Sequence, residues 1–407
     1  MRLLKVAMLS VHSCPGGRPG GRDTGGMNVY VRELARELGS RGHLVDIFTR
    51  AHDPEESQVA ALGKGVRIIH LTAGEVENMH KLAVYSYLAD FACGLESFRK
   101  RNGLVYDLIH SHYWLSGWVG QKLQMWWNLP HITMFHTLGA VKNATAIGED
   151  EPELRLQTEK EIALACDRIV AATEREKQQL IRYYDGRGES VSVIPCGVNL
   201  NLFRPMDRKA ARERLAIDGA RIILFVGRIE PAKGLERLIR AVCHLRRTHR
   251  LLLVVVGGDG QNESELQRLQ KLVRELDIQD AVKFAGIVNQ EDLPDFYNAA
   301  DVCVIPSYYE SFGLVGLESL ACGTPVVSTR VGGMENIVWR DEIGYLVAGD
   351  SPSHLAGKVA KVLSACDSSV SVAALARESV ASFGWANVAD AVLKEYEALL
   401  RDRVEVG

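Results

Sequence analysis

Four charged side chains in the second half of the chain have the types and spacing to do chemistry. They are Arg228 and Lys233 in "GRIEPAKGLE", and Glu310 and Glu318 in "PSYYESFGLVGLE". Two carboxylates eight residues apart first suggest the acid and base of a sugar-cleaving enzyme. Such pairs stand ~5–9.5 Å apart across the scissile bond. A wholly helical interval would separate Glu310 and Glu318 by ~12 Å in rise alone, so the spacing disfavours a hydrolytic pair. Arg228 and Lys233 lie five residues apart on a tight turn shaped by Pro231 and Gly234. A guanidinium fork and an ammonium point charge aimed at one place suit a diphosphate. Two further elements attract anions. Residues 12–26 hold six glycines and two prolines, and this loop opens into a helix from about Met27 whose amides favour negative charge. Glu310 stands at or just before a second helix start near Phe312, beside the amides of Phe312, Gly313 and Leu314. Taken singly, a glycine loop can be a surface loop and two basic residues can be solvent charges. Together the elements suit a diphosphate with a hydroxyl-bearing ring on either side, one ring for each glutamate: a sugar nucleotide.

What must position these residues is an α/β scaffold. Short β-branched runs at 4–11, 44–49, 66–71, 107–112, 131–136, 168–173 and 191–195 alternate with amphipathic stretches, which predicts one doubly wound parallel sheet of seven strands. The stretch "PCGVNLNLFRP" (195–205) interrupts the alternation and reads as a linker. A second series at 221–227, 251–258, 281–286, 301–306, 324–329 and 344–349 predicts a second Rossmann-like sheet. The expected domains are therefore 1–197 and 198–384, facing each other across a cleft, with a final helix in 385–407 that could pack back on the first domain. Ligands of open α/β sheets bind beyond the carboxyl ends of the strands. The glycine loop, the Arg228 turn and the Glu310 segment all follow strands.

With 407 residues, 24% charged residues and a net charge of -3, the chain reads as a two-domain globular protein with no electrostatic case for nucleic acid. The arginines at 237, 240, 246, 247 and 250 read as a solvated helix face. The eight cysteines show no C-x-x-C pair and no cysteine-histidine ligand spacing, as expected of reduced core residues in a cytoplasmic protein. The longest aliphatic run, "LLLVVV", is far shorter than a membrane span of ~20 residues. No D-x-D motif occurs, and the acidic cluster "GEDEPE" (148–153) reads as a surface loop. No metal site is expected. Magnesium is compatible with a bound nucleotide, but no protein ligand for it is evident.

The set "GGMNVYVRELARELGSRGHLVDIFTR", "GRIEPAKGLE", "GGDG" and "PSYYESFGLVGLESLACGTPVV" resembles the retaining glycosyltransferases of family four, which have the GT-B fold. The resemblance covers nearly the whole chain. Within the family, "GGMNVYV", "HSHYWLSG" and "FHTLGAVKN" are most similar to the inositol-phosphate N-acetylglucosaminyltransferases of mycothiol synthesis, followed by the sucrose-phosphate synthases. The resemblance implies that Arg228 and Lys233 neutralise the leaving diphosphate, with the amides of Gly26, Phe312, Gly313 and Leu314. It implies that Glu310 accepts from hydroxyls of the donor sugar and Glu318 from the ribose. His136 would hold the sugar near the reacting carbon, and the base would rest near Ile287 and Val288. Asn28, Lys81, Tyr113, Thr137 and Arg155 would bind the acceptor, the last four gripping its phosphate. In place of the family's adjacent arginines after the P-E element, this chain has Arg155 followed by Leu156.

The expected function is transfer of a hexose or N-acetylhexosamine from a UDP-sugar to a hydroxyl of a small phosphorylated acceptor with retention, no cofactor being required. A homodimer and peripheral membrane contact are both allowed. The alternatives are sucrose-phosphate synthase-like transfer to a hexose phosphate, transfer to a polysaccharide or lipid, and a non-catalytic sugar-nucleotide sensor. A nicotinamide-dependent oxidoreductase is opposed by the absence of G-x-G-x-x-G in either half.

Overall fold

The computed structural model describes residues 2–17, 25–147, 150–217, 220–258, 263–338, 340–365 and 369–406, without the side chains of 369–371 and 404–406. The chain divides into two compact units: Met1–Gly17, Asp23–Pro195 and Trp385–Gly407 form the first, and Cys196–Gly384 makes up almost all of the second. Both hold α/β sheets of the doubly wound type expected from the alternating runs, wholly parallel in the second unit and parallel but for one edge strand in the first.

In the first unit the strands are β1 (Lys5–Leu9), β2 (Leu44–Arg50), β3 (Val59–Gly63), β4 (Val66–Leu71), β5 (Leu108–His112), β6 (His131–Met134), β7 (Arg168–Ala171) and β8 (Val191–Val193). Their order is β3-β4-β2-β1-β5-β6-β7-β8. Seven of the eight follow the apolar runs. They are covered on both faces, so they read as continuous hydrophobic stretches; β5, for example, is buried throughout. The eighth, β3, was not expected. It pairs antiparallel with β4 at the sheet edge, and its alternately exposed, alanine- and glycine-bearing sequence lacks the β-branched signal.

The second unit contains β9 (Arg221–Val226), β10 (Leu251–Val256), β11 (Val282–Gly286), β12 (Val302–Ile305), β13 (Val326–Thr329) and β14 (Gly344–Val347). All pair in parallel in the order β11-β10-β9-β12-β13-β14. One face of this sheet buries Ile223, Phe225, Leu253, Val255, Val302 and Val304 under helices Leu235–Leu245 and Pro352–Ala365.

Each sheet has a point where the chain reverses its direction of strand addition, between β1 and β5 in one and between β9 and β12 in the other. These switch points leave a crevice beyond the strands' carboxyl ends, where open α/β sheets take ligands. The last helix, Trp385–Val406, returns to the first unit. There the Trp385 ring stands edge-on to Tyr30 at 5.4 Å, Arg41 pairs with Asp390 at 2.5 Å, and Tyr396 Oη lies 2.6 Å from His110 Nδ1. No helix among the described residues is long and apolar enough to cross a membrane.

Candidate functional site

At the switch point of the second unit, the turn after β9 and the loop after β12 are tied together. The amide of Tyr308 donates to the Ala232 carbonyl at 2.8 Å. Arg237, expected to be solvated, is instead buried; its guanidinium donates to the Pro306 carbonyl and lies 4.3 Å over the Tyr308 ring. Gly234 has φ 68°, and a Cβ there would stand 2.0 Å from the Pro306 oxygen, so only glycine lets the two segments approach. This frame brings Lys233 Nζ to 2.7 Å from Glu310 Oε1, an oxygen that also accepts from Ser307 Oγ at 2.8 Å. Arg228 follows the same strand, is about half exposed, and pairs with Glu230 at 2.7 Å.

The second helix begins two residues later than expected. It spans Leu314–Ala321, and Gly313 before it has φ 105°. A helical residue keeps φ negative, so the first turn opens at Leu314 rather than Phe312. The Phe312 ring is buried and its carbonyl accepts from the Gly333 amide at 2.8 Å. Glu318 lies inside the helix, buried, and accepts from Tyr297 Oη at 2.7 Å. Burial pushes its carboxyl up to about 7, against the pull of the Tyr297 bond. Ile287 and Val288 leave the end of β11, with Ile287 exposed.

In the first unit, the carboxyl ends of β5 and β6 carry a second group. Tyr113 after β5 and His136 after β6 have φ 78° and 61°, left-handed conformations held by non-glycine residues and the sort of strain that gathers at ligand sites. The Arg155 guanidinium lies 4.9 Å over the Tyr113 ring and donates to Thr137 Oγ1 and to the Thr137 carbonyl, both at 2.9 Å. The His12 ring also lies against Tyr113, tilted by 33° with centroids 4.5 Å apart. His136 Nε2 is 3.0 Å from His112 Nδ1. Burial, with a smaller effect from His12, pushes the His136 imidazole down to about 3, so the ring is neutral. Asn28, in helix Gly26–Ser40, accepts from Ser13 Oγ at 2.7 Å and donates to the Cys14 carbonyl at 3.2 Å.

Glu151 was expected in a surface loop, yet its side chain is 3% exposed. Lys81 Nζ reaches its two oxygens at 2.8 and 2.9 Å, Lys142 Nζ pairs with the same carboxylate, and Arg155 Nη1 lies 2.9 Å away. Arg155 Nη1 makes no aligned hydrogen bond there. Burial would raise the Glu151 carboxyl, but Arg155, Lys142 and Lys81 outweigh it and pull it down to about 2. Burial lowers the Lys81 ammonium against the pull of Glu151, with smaller repulsions from Lys142 and Arg155. A second carboxylate, Glu159, accepts from Arg155 Nε at 2.7 Å and from the Gly139 amide at 2.8 Å, setting the fork's orientation.

The expected site residues thus fall into two groups, Lys233 with Glu310 and Lys81, Tyr113, Thr137 with Arg155. Glu318 and Phe312 are engaged within the protein. Lys142, Glu151, Glu159, Arg237 and Tyr297 were missed. Only Lys142 had a signal, since it lies in the quoted "FHTLGAVKN". Residues 18–24 of the glycine loop, 148–149 of the acidic cluster, 259–260 of "GGDG" and Cys366 lie outside the described residues.

Residues 24–202 match the family described as Glycosyltransferase Family 4, and residues 207–378 match Glycosyl transferases group 1. D-inositol 3-phosphate glycosyltransferase 2 of Catenulispora acidiphila is 43% identical over 98% of this chain and 96% of its own length. The D-inositol 3-phosphate glycosyltransferase of Corynebacterium jeikeium is 41% identical over 97% of each. Among solved structures, a sucrose-phosphate synthase from Thermosynechococcus elongatus superposes with a TM-score of 0.90 at 34% identity, over 98% of this chain and 100% of that one.

Proposed function

The chain belongs to the family-four glycosyltransferases of GT-B fold, and on that premise we propose that it moves a hexose or N-acetylhexosamine from a uridine diphosphate sugar to a hydroxyl of a small phosphorylated acceptor, with retention. The observation that carries the acceptor reading is the convergence of Lys81, Lys142 and Arg155 on the one carboxylate of Glu151. A cation trio of this kind, with a guanidinium fork oriented by Glu159, suits a phosphate monoester. The unaligned Arg155 Nη1 is a donor that a phosphate oxygen can take up, and Glu151 holds the place of that phosphate until the acceptor arrives. The names of the relatives make an inositol monophosphate the first candidate.

In the second unit, Arg228 and Lys233 neutralise the leaving diphosphate. Lys233 exchanges Glu310 for a diphosphate oxygen, which leaves Glu310 to accept from hydroxyls of the sugar. The Leu314 end of the helix adds amide donors, and Glu318 accepts from the ribose beside Tyr297. The bond from the anomeric carbon to the diphosphate oxygen breaks while a bond to the acceptor oxygen forms on the same face. The acceptor proton passes to a diphosphate oxygen, and His136, held neutral, positions the sugar without exchanging a proton. Catalysis of this kind is positional and electrostatic.

A donor-by-acceptor matrix read by nucleotide release tests the reading. It includes an inositol monophosphate, fructose 6-phosphate, glucose 6-phosphate and each dephosphorylated counterpart. The inositol monophosphate should be the best acceptor, and the fructose 6-phosphate arm covers the likeness to sucrose-phosphate synthase. If no phosphorylated acceptor outperforms its dephosphorylated form, the acceptor assignment fails.

A further inference from the structure

The segment leaving β1 meets β4 and the connection between β2 and β3 at a group of side chains that sugar transfer does not use. Cys14 Sγ, Glu56 Oε2 and His70 Nε2 lie within 4.8 Å of one another. Cys14 Sγ is 3.4 Å from His70 Nε2, and that nitrogen is 3.5 Å from Glu56 Oε2. His70 Nδ1 lies 2.8 Å from the Ser57 carbonyl oxygen. A carbonyl only accepts, so Nδ1 carries a ring proton, and in the neutral imidazole Nε2 presents its lone pair to the other two groups. Glu56 Oε2 is buried with no aligned hydrogen bond. A lone pair, a carboxylate oxygen and a sulfur therefore face one another with a single thiol proton among them.

We propose that Cys14, Glu56 and His70 bind a zinc ion. A thiolate, an imidazole and a carboxylate form a donor set suited to this borderline-soft cation. Tetrahedral zinc, with bonds of ~2.3 Å to sulfur and ~2.0–2.2 Å to nitrogen and oxygen, sets its ligand atoms ~3.6 Å (S to N) and ~3.4 Å (N to O) apart. The observed separations of 3.4 and 3.5 Å match both edges. The Ser57 carbonyl plays the outer part usual for a zinc-bound histidine, fixing tautomer and ring orientation. His52 lies beside the group, with Nδ1 3.3 Å from Glu56 Oε2.

The ion's effect is positional. It pins Cys14, whose carbonyl receives Asn28 Nδ2 while the neighbouring Ser13 holds Asn28 Oδ1, at the start of helix Gly26–Ser40. The assignment does not depend on which acceptor the enzyme uses.

The test uses the full chain, stripped with chelator and then equilibrated with zinc or cobalt(II). Elemental analysis should find about one zinc per chain, and the cobalt form should show a thiolate-to-metal charge-transfer band. Competition against a chromogenic chelator should show at least tenfold weaker zinc binding in Cys14→Ser and in His70→Gln, while Cys93→Ser, at an exposed cysteine, binds like the parent. Circular dichroism establishes that the variants fold, and Glu56→Gln supplies a third variant if either cysteine or histidine replacement does not. An imidazolium simply paired with Glu56 would give no stoichiometric zinc and no cobalt band, and that result overturns the assignment. Undiminished zinc affinity in the folded Cys14→Ser or His70→Gln variant overturns it equally.

Discussion

Replacing Glu151 by glutamine tests whether this carboxylate stands where the acceptor phosphate goes. In the ligand-free protein it meets Lys81 at 2.8 Å, Arg155 at 2.9 Å and Lys142. Hydrogen bonds to charged groups contribute about 1.5–3 kcal/mol and neutral ones about 0.5–1.5. Exchanging carboxylate for amide therefore removes about 1 kcal/mol at each of the two hydrogen-bonded lysines, and losing the charge attraction to the unaligned Arg155 Nη1 removes about 1 kcal/mol more, or about 3 kcal/mol in all. Lys81 and Lys142 are 29% and 33% exposed, so solvent screening roughly halves that sum, to about 1.5 kcal/mol, or about tenfold. A phosphate entering the Glu151→Gln site no longer has to displace a charge. The KM for the best phosphorylated acceptor should then fall about tenfold, with the dephosphorylated acceptor unaffected. Inorganic phosphate should also inhibit the variant more strongly than the parent. The three cations lose their counter-charge, so thermal stability should decrease, which a melt monitored by circular dichroism will show. An unchanged or raised KM for the phosphorylated acceptor in a folded Glu151→Gln enzyme would refute the reasoning.

Lys233→Ala should lower kcat by ~10²–10³, or about 2.7–4 kcal/mol, as loss of one preorganised charge-stabilising donor does. Steady-state nucleotide release measures this, and turnover within about tenfold of the parent removes Lys233 from that role. The two units should also respond oppositely to mild acid. Burial holds His110 and His131 down to about 3, so between pH 6.5 and 3 the unfolded chain binds protons that the folded first unit refuses. Its stability falls with falling pH by about 1.4 kcal/mol per unit for each such histidine. His136 and His112 act in the same sense, and Glu176, raised by burial to about 7, opposes them. In the second unit Glu318, raised to about 7, keeps a proton that the unfolded chain releases above its ordinary carboxyl pKa. Its contribution to stability therefore grows as pH falls from 7 toward 4.5. Hydrogen exchange at pH 7 and 5, corrected for intrinsic rates, should show first-unit peptides losing protection; earlier loss in the second unit would contradict the assignment.

Both sheets were legible in the sequence because parallel strands covered on two faces become runs such as "VRIIHL" and "LLLVVV". The edge strand β3 escaped because an exposed strand need not be apolar. The Lys233–Glu310 pairing was approachable because both residues follow strands, and the rule of carboxyl-end binding narrowed the search. The helix start was misplaced by two residues because Gly313 takes a left-handed conformation that composition does not reveal. Glu151 and Arg237 were read as solvent charges for one reason: a charge run looks solvated until distant residues close over it. Lys81 lies 70 residues from Glu151, and Pro306 lies 69 from Arg237. Cys14, Glu56 and His70 come from three separate segments, so no ligand spacing was there to find.

The return of helix Trp385–Val406 to the first unit has a consequence for synthesis on the ribosome. The nascent first unit reaches Pro195 with His110 still lacking its Tyr396 partner and Tyr30 still lacking Trp385. It must then wait while the 189 residues of Cys196–Gly384 are made. At ~5–20 residues per second that interval is about 10–40 s. During it the open helix face of Gly26–Ser40 is a surface for chaperones to shield, whereas the second unit can fold as soon as it emerges.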